Sequence, residues 1–362
     1  MQNELKYAVV FAGQGAQKPG MGKSLYEASA AARAIFDRAG DGIKHDCFEA
    51  DAERLMQTEV TQPAVYTMDM AAYAALREAL GLGDEGSPEP SGAGAGGFPE
   101  PSGAGAGGFP EPSCVAGFSL GEYAALTAAG VIDSIETGLE LVRERSLLMR
   151  DAGTNPDGSA KGTMAAGMGD PEKVLALVEK ARGDGILEAV NFNSPQQTVV
   201  AGDVAAVGRF ASLAGEDRSY GVKAIPLPVS GAFHTPIMNP AAEGLAEFLA
   251  GYTFGEPAIP VFLNATGGAF SDYSNKDISE KVRAIMVRQV KSPVHWKLTI
   301  EAMAAAGIET VIEVGPGKTL SGLAAKTVPG LRVLHVEDAE SLLDTVRTVV
   351  SGQLSVDSER LV

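Results

Sequence analysis

Gly117-Phe118-Ser119-Leu120-Gly121-Glu122-Tyr123 decides how this chain is read, because it sets a serine between a strand and a helix. The preceding Cys114-Val115-Ala116 is short and apolar, like a buried strand, and residues 120–129 are rich in alanine and leucine, like a helix. Gly-x-Ser-x-Gly in that setting is the nucleophile-elbow pattern. Its glycines permit a turn too tight for a β-carbon and leave the Ser119 hydroxyl exposed at a helix N-terminus.

Outward from that turn, strand-like and helix-like segments alternate. Residues 7–12 and 115–118 read as strands and 64–80 as a helix. Another helix is expected over 134–150, with Asp133 and Glu136 placed as a capping box. Strands are expected again at 261–264, 310–314 and 331–335, with helices at 282–290 and within 339–350. This is the grammar of an α/β sheet covered by helices. Between 153 and 227 the order changes to strand (163–168), helix (171–182), strands (186–192 and 198–201), helix (204–214) and strand (222–227), the ferredoxin-like plan. The expected architecture is therefore α/β: an α/β-hydrolase-like core with a largely parallel sheet, formed by 1–152 and 228–362, and an inserted ferredoxin-like small subdomain at 153–227.

Residues 88–113 repeat Pro-Glu-Pro-Ser-Gly-Ala-Gly-Ala-Gly-Gly-Phe with an eleven-residue period, from Pro88, Pro99 and Pro110. That glycine and proline content excludes helix, and Phe98 and Phe109 cannot build a core that offsets the ordering entropy. The segment 84–113 is expected to be a disordered low-complexity insertion in a tolerant surface loop.

With 45% apolar and 21% charged residues among 362, the composition is that of a soluble globular protein with a sizeable core. The run 7–12 is too short for a signal peptide and leads straight into a glycine loop, and no run is long enough to span a bilayer. Cys47 and Cys114 lack metal-ligand spacing. A cytoplasmic location, no membrane association and no metal follow as expectations. A net charge of −17 argues against nucleic acid as a partner.

A nucleophilic serine needs a base, and the chain has four histidines. His45 lies in a charged stretch, His295 beside Trp296 invites packing, and His335 ends an apolar strand. His234, in the loop Ser230-Gly231-Ala232-Phe233-His234-Thr235-Pro236 at the junction of the two parts, is the favoured base. No acid between Ser119 and His234 announces itself as a third triad member. Gly13-Gln14-Gly15-Ala16-Gln17 misses the spacing of nucleotide-binding loops and could instead bring a backbone donor close to an oxyanion. Arg145 shares a helical face with Leu141 and Leu148. It either meets a carboxylate or phosphate there or lays its stem over apolar surface.

Taken in order, these motifs resemble the malonyl-CoA:acyl-carrier-protein transacylase family. The matching runs are Phe11-Ala12-Gly13-Gln14-Gly15-Ala16-Gln17, the Ser119 motif, the Arg145 helix, Asn191-Phe192-Asn193-Ser194-Pro195, Gly231-Ala232-Phe233-His234, Val287-Arg288-Gln289 and Glu313-Val314-Gly315-Pro316-Gly317-Lys318. The resemblance covers nearly the whole chain except 84–113. It implies malonyl transfer from malonyl-CoA to acyl carrier protein without a cofactor, by a monomer serving fatty-acid synthesis. Ser119 would be the acyl-accepting nucleophile and His234 its base, partnered by a main-chain carbonyl. Arg145 would hold the malonyl carboxylate, and the Gln14 and Leu120 N–H groups the oxyanion. Gln289 would help order the site, and Phe233 resembles the malonyl-preferring form. Phe118 stands where the family usually has histidine, which implies altered packing with activity kept. The acidic carrier would need a local basic patch, for which Lys161, Arg182, Lys281 and Lys291 are candidates. A hydrolase of the esterase type and an inactive carrier-docking scaffold are the rival readings.

Overall fold

Tyr7-Ala8-Val9-Val10-Phe11 is apolar throughout, and it forms a central strand buried along its whole length, as a parallel strand covered on both faces must be. The computed structural model describes residues 6–82, 109–229, 231–274 and 277–358. Nine strands lie among them: β1 (Tyr7–Phe11), β2 (Cys114–Gly117), β3 (Gly162–Met168), β4 (Leu187–Ser194), β5 (Gln197–Asp203), β6 (Lys223–Pro226), β7 (Val261–Phe262), β8 (Thr310–Val314) and β9 (Arg332–Val336).

They form two sheets. The first runs β7-β2-β1-β8-β9 and is parallel throughout. The second runs β4-β5-β3-β6 and is antiparallel, the strand order of a ferredoxin-like unit. Helices Pro171–Arg182 and Val204–Glu216 cover one face of the second sheet, burying Val174, Leu177, Val207 and Phe210 against Ala165 and Val200. Its other face, with Met164, Ala166 and Val199, turns toward the first sheet and helps to line a cavity.

Some boundaries differ from the sequence expectation. The long central helix spans Thr58–Ala79 and includes Pro63. Expected from residue 64, it starts six residues earlier and runs through Pro63, which forfeits one backbone N–H and crowds the carbonyl four residues back without ending the helix. The next long helix, Ile135–Gly153, is capped by Ser134, whose Oγ accepts the Thr137 N–H at 3.1 Å. Asp133 therefore does not cap it. Four short helices between residues 23 and 55 were not anticipated.

The low-complexity repeat lies outside the described residues as far as 108, but its last residues do not. Phe109 meets the Tyr7 ring edge-on at 5.8 Å, and the Tyr7 hydroxyl donates to the Pro110 carbonyl at 2.9 Å. Ser113 N–H bonds to the Tyr7 carbonyl at 2.8 Å, and Glu111 pairs with Arg77. For residues 109–113 the expectation of disorder is thus corrected, because an aromatic and an acid each find a partner on the folded body.

Candidate active site

The turn after β2 is as tight as the sequence suggests. Ser119 has φ 50, a left-handed conformation disfavoured for any residue with a β-carbon. A β-carbon on Gly117 would lie 1.9 Å from the Gly121 carbonyl, and one on Gly121 would lie 2.3 Å from the Phe11 carbonyl oxygen. Backbone N–H groups around the turn are almost all engaged. Phe118 bonds to Phe11, Gly121 to Phe118, Glu122 to Ser119 and Tyr123 to Leu120, while Ser119 N–H bonds to the Asn264 side chain at 2.6 Å. Leu120 N–H donates to no described residue, and neither does Gln14 N–H on the facing glycine loop. Two unengaged donors near a serine hydroxyl suit a developing oxyanion.

Ser119 Oγ lies 2.9 Å from His234 Nε2, and His234 Nδ1 lies 3.0 Å from the Gln289 carbonyl oxygen. That carbonyl can only accept, so the Nδ1 proton points to it and the Nε2 lone pair faces the serine. His234 also has a left-handed backbone, with φ 63. Burial, and then the nearby Arg145 charge, push its pKa down to about 4. It is therefore neutral near pH 7, as a base must be.

Arg145 is buried, and its guanidinium hydrogen-bonds to neutral groups only, with the buried Glu122 carboxyl near enough to act on it through space. It donates to Gln62 Oε1 at 2.6 Å, to Gln289 Oε1 at 3.2 Å and to Ser119 Oγ at 3.2 Å, and it lies 5.4 Å from the Tyr123 ring centre. Among the described residues it forms no ion pair. Gln289 Nε2 closes the ring by donating to the Ser119 carbonyl at 2.5 Å. Gln62 in turn donates to Gln14 Oε1 at 3.3 Å.

Ser119, His234, Arg145, Gln14 and Phe233 all line one cavity of about 450 Å³ between the two sheets. Asn191, Asn193 and Val199 come from the antiparallel side, Ala12 and Met149 from the parallel side. Leu120 contributes only its backbone, since its side chain is buried in the core. Phe233 is buried beside His234, and Gly231 leaves room for its ring. Phe118 packs edge-on against Trp296 at 5.5 Å. The other histidines stay apart from Ser119. His295 stacks on Phe192 at 5.2 Å, His335 lies at the end of β9, and His45 is exposed.

Gln62, Glu122 and Asn264 were missed from sequence. Each acquires its role from a partner far away in the sequence, so no local pattern marks it. Among the four basic candidates for a carrier surface, Lys161 is tied to the Ala152 carbonyl and Arg182 to Glu179 and the Leu187 carbonyl. Lys281 lies over the Phe270 ring, and Lys291 is exposed. No group of acidic, histidine or cysteine side chains among the described residues could hold a metal ion. No helix among them is long and apolar enough to cross a membrane.

The chain is similar to known proteins along nearly its whole length. The acyl transferase domain model matches residues 8–86 and 104–347. A malonyl CoA-acyl carrier protein transacylase of Bacillus subtilis is 35% identical over 350 residues, covering 95% of this chain and 97% of the relative. The crystal structure of the transacylase of that name from Clostridium perfringens superposes with a TM-score of 0.81 at 32% identity, covering 97% of this chain and 99% of that one. A solved type II PKS acyl-carrier protein in complex with its malonyl-transacylase matches with a TM-score of 0.79 at 32% identity, covering 95% and 99%.

Proposed function

The chain belongs to the malonyl CoA-acyl carrier protein transacylase family, and from that premise we propose that its S-malonyltransferase activity runs through a malonyl ester of Ser119. The observation that carries the choice of acyl group is Arg145, a buried cation with no carboxylate in contact, on which buried Glu122 acts only from a distance. Burying an unpaired charge is strongly unfavourable, so a site that holds one is built for an anion that arrives with the substrate. A malonyl group ends in a carboxylate, which a guanidinium can hold bidentately.

His234 Nε2 takes the Ser119 proton as Oγ attacks the thioester carbonyl. The Gln14 and Leu120 N–H groups receive the oxyanion, and Gln289 keeps both the histidine and the arginine in place. The carbon–sulfur bond breaks, and the CoA thiolate takes the proton back from His234. The phosphopantetheine thiol of acyl carrier protein then repeats the steps in reverse order, leaving Ser119 free. Phe233 and the apolar walls help keep water from the ester, so that transfer outcompetes hydrolysis.

We take the protein to act as a monomer in the cytoplasm, supplying malonyl units for fatty-acid synthesis. Its two free, buried cysteines suit a reducing compartment. Residues 153–227 form the small subdomain in this reading, and an exposed face including Lys291 meets the acidic carrier. The test is intact-protein mass after incubation with malonyl-CoA. One malonyl group is expected on the native chain and none on Ser119→Ala. Arg145→Ala should lose the preference for malonyl-CoA over acetyl-CoA by about 100-fold. Malonylation of the Ser119→Ala chain, or free malonate accumulating in the absence of carrier protein, would overturn the reading.

A further inference from the structure

The ladder between β2 and β7 ends at Ala116 opposite Phe262, just before the backbone turns at Ser119. Two residues beyond Phe262 stands Asn264, fully buried. Its Nδ2 donates to the Gly117 carbonyl at 2.6 Å, and its Oδ1 accepts the Ser119 N–H at 2.6 Å. One partner only accepts and the other only donates, so the amide has a single orientation that satisfies both. The side chain thus offers the turn what a neighbouring peptide group would offer had β7 continued. Asn264 is itself fixed at both ends. Its N–H donates to Glu122 Oε2 at 2.6 Å, and its carbonyl accepts the His295 N–H at 2.8 Å. Glu122 lies on the helix Gly121–Ala128 that leaves the turn, so the contacts close a circuit around Ser119.

We propose that Asn264, held by Glu122, is the positioning residue that keeps Ser119 in its left-handed conformation and leaves Leu120 N–H as the turn's donor to the oxyanion. It touches no reacting atom. It acts by holding the Gly117 carbonyl, two residues before Ser119, and the N–H of Ser119 itself, so that the residue with φ 50 cannot relax and carry Leu120 N–H out of line. An aspartate of the same shape loses the donor when ionised and places charge against the Gly117 carbonyl. Protonated, it again offers one donor and one acceptor. The proposal rests on Ser119 being the nucleophile.

The experiment compares Asn264→Ala, Asn264→Asp and Ser119→Ala with the native protein by rate of malonylation, KM for malonyl-CoA and thermal unfolding. Asn264→Ala is expected to fold and to lose about 100-fold in kcat, with KM changed less than about threefold, the pattern of a contact that matters in the transition state. Asn264→Asp should gain on the native rate as pH falls from about 8 to about 6, because protonation restores the missing donor beside buried Glu122. This variant decides the matter if Asn264→Ala does not fold. A folded Asn264→Ala with native kcat, a loss confined to KM, or an Asn264→Asp without recovery overturns the proposal. A Ser119→Ala chain that still takes up malonyl overturns the reading beneath it. An inactive Ser119→Ala beside a fully active Asn264→Ala overturns the positioning role alone.

Discussion

The turn that carries Ser119 and the loop that carries His234 both hold a residue with a β-carbon in the left-handed region, yet they are held in different ways. The Ser119 turn is fixed by backbone packed against backbone at the ends of β1 and β2, with no space beside Gly117 or Gly121, and the Asn264 amide clamps what packing leaves free. The His234 loop is fixed by polar contacts. The ring leans on the Gln289 carbonyl, and Thr235 Oγ1 donates to the Ala232 carbonyl at 2.7 Å. A nucleophile must sit at one point relative to its oxyanion donors, and packing locked by the Asn264 clamp supplies that. A base must change protonation and back within one cycle, and a hydrogen bond to a neutral carbonyl lets it do so without moving.

Substituting the glycines breaks or sharpens that contrast most directly. Gly117→Ala forces a β-carbon into the Gly121 carbonyl, and malonylation should fall by about a thousandfold or more. Gly231→Ala meets only the Phe233 ring, at 2.8 Å, which can shift, so a loss of about tenfold is expected. Equal losses in the two variants would erase the distinction. His234→Ala should cost about 10²- to 10⁴-fold in acylation rate, measured by quenched mass spectrometry.

Acidity probes the two regions with opposite signs. His234 falls from its ordinary 6.5 to about 4, so acylation should persist as pH is lowered toward 5 and fail as it nears 4. The unfolded chain takes up this proton first, so stability is lost as pH falls from 6.5 to 4. Thermal melts of His234→Ala should lack that part of the decline. Glu122, beside the Ser119 turn, is pushed up from 4.5 to about 7 by burial. Here the unfolded chain gives up its proton first, so stability is lost as pH rises from 4.5 to 7. Glu122→Gln keeps an acceptor for the Asn264 N–H without this loss. Its melting temperature should exceed the native value by about 2 °C at pH 8 and match it at pH 4; a gain at both would show that titration is not the cause.

The same contrast explains what could be read from sequence. Helix Pro171–Arg182 was legible to the residue because Asp170 accepts from Glu172 and Lys173, proline follows at the first position and Gly183 ends it. These signals are local. Strand β8 was legible in the same way, through Val311, Ile312 and Val314 closed by Gly315. Ser119 carried a motif, and the position of His234 emerged by comparing only four candidates. Gln62, Glu122 and Asn264 left no such trace. Gln62 meets Arg145 across 83 residues of sequence and Asn264 meets Ser119 across 145, and a pairing that exists only after distant segments have packed together has no local pattern. Ser134 was passed over for the neighbouring Asp133 because both are good caps and the choice depends on which one the chain direction presents to Thr137.

Arg77 joins the two ends of the described chain on either side of the repeat. Its guanidinium donates to the Leu82 carbonyl at 2.7 Å and pairs with Glu111, so departure and return meet at a single side chain. Closing a longer loop between fixed ends costs only about 0.6 kcal/mol for each doubling of its length. A gene for this protein could therefore gain or lose whole eleven-residue units by replication slippage while β2 still began at Cys114 in the same place.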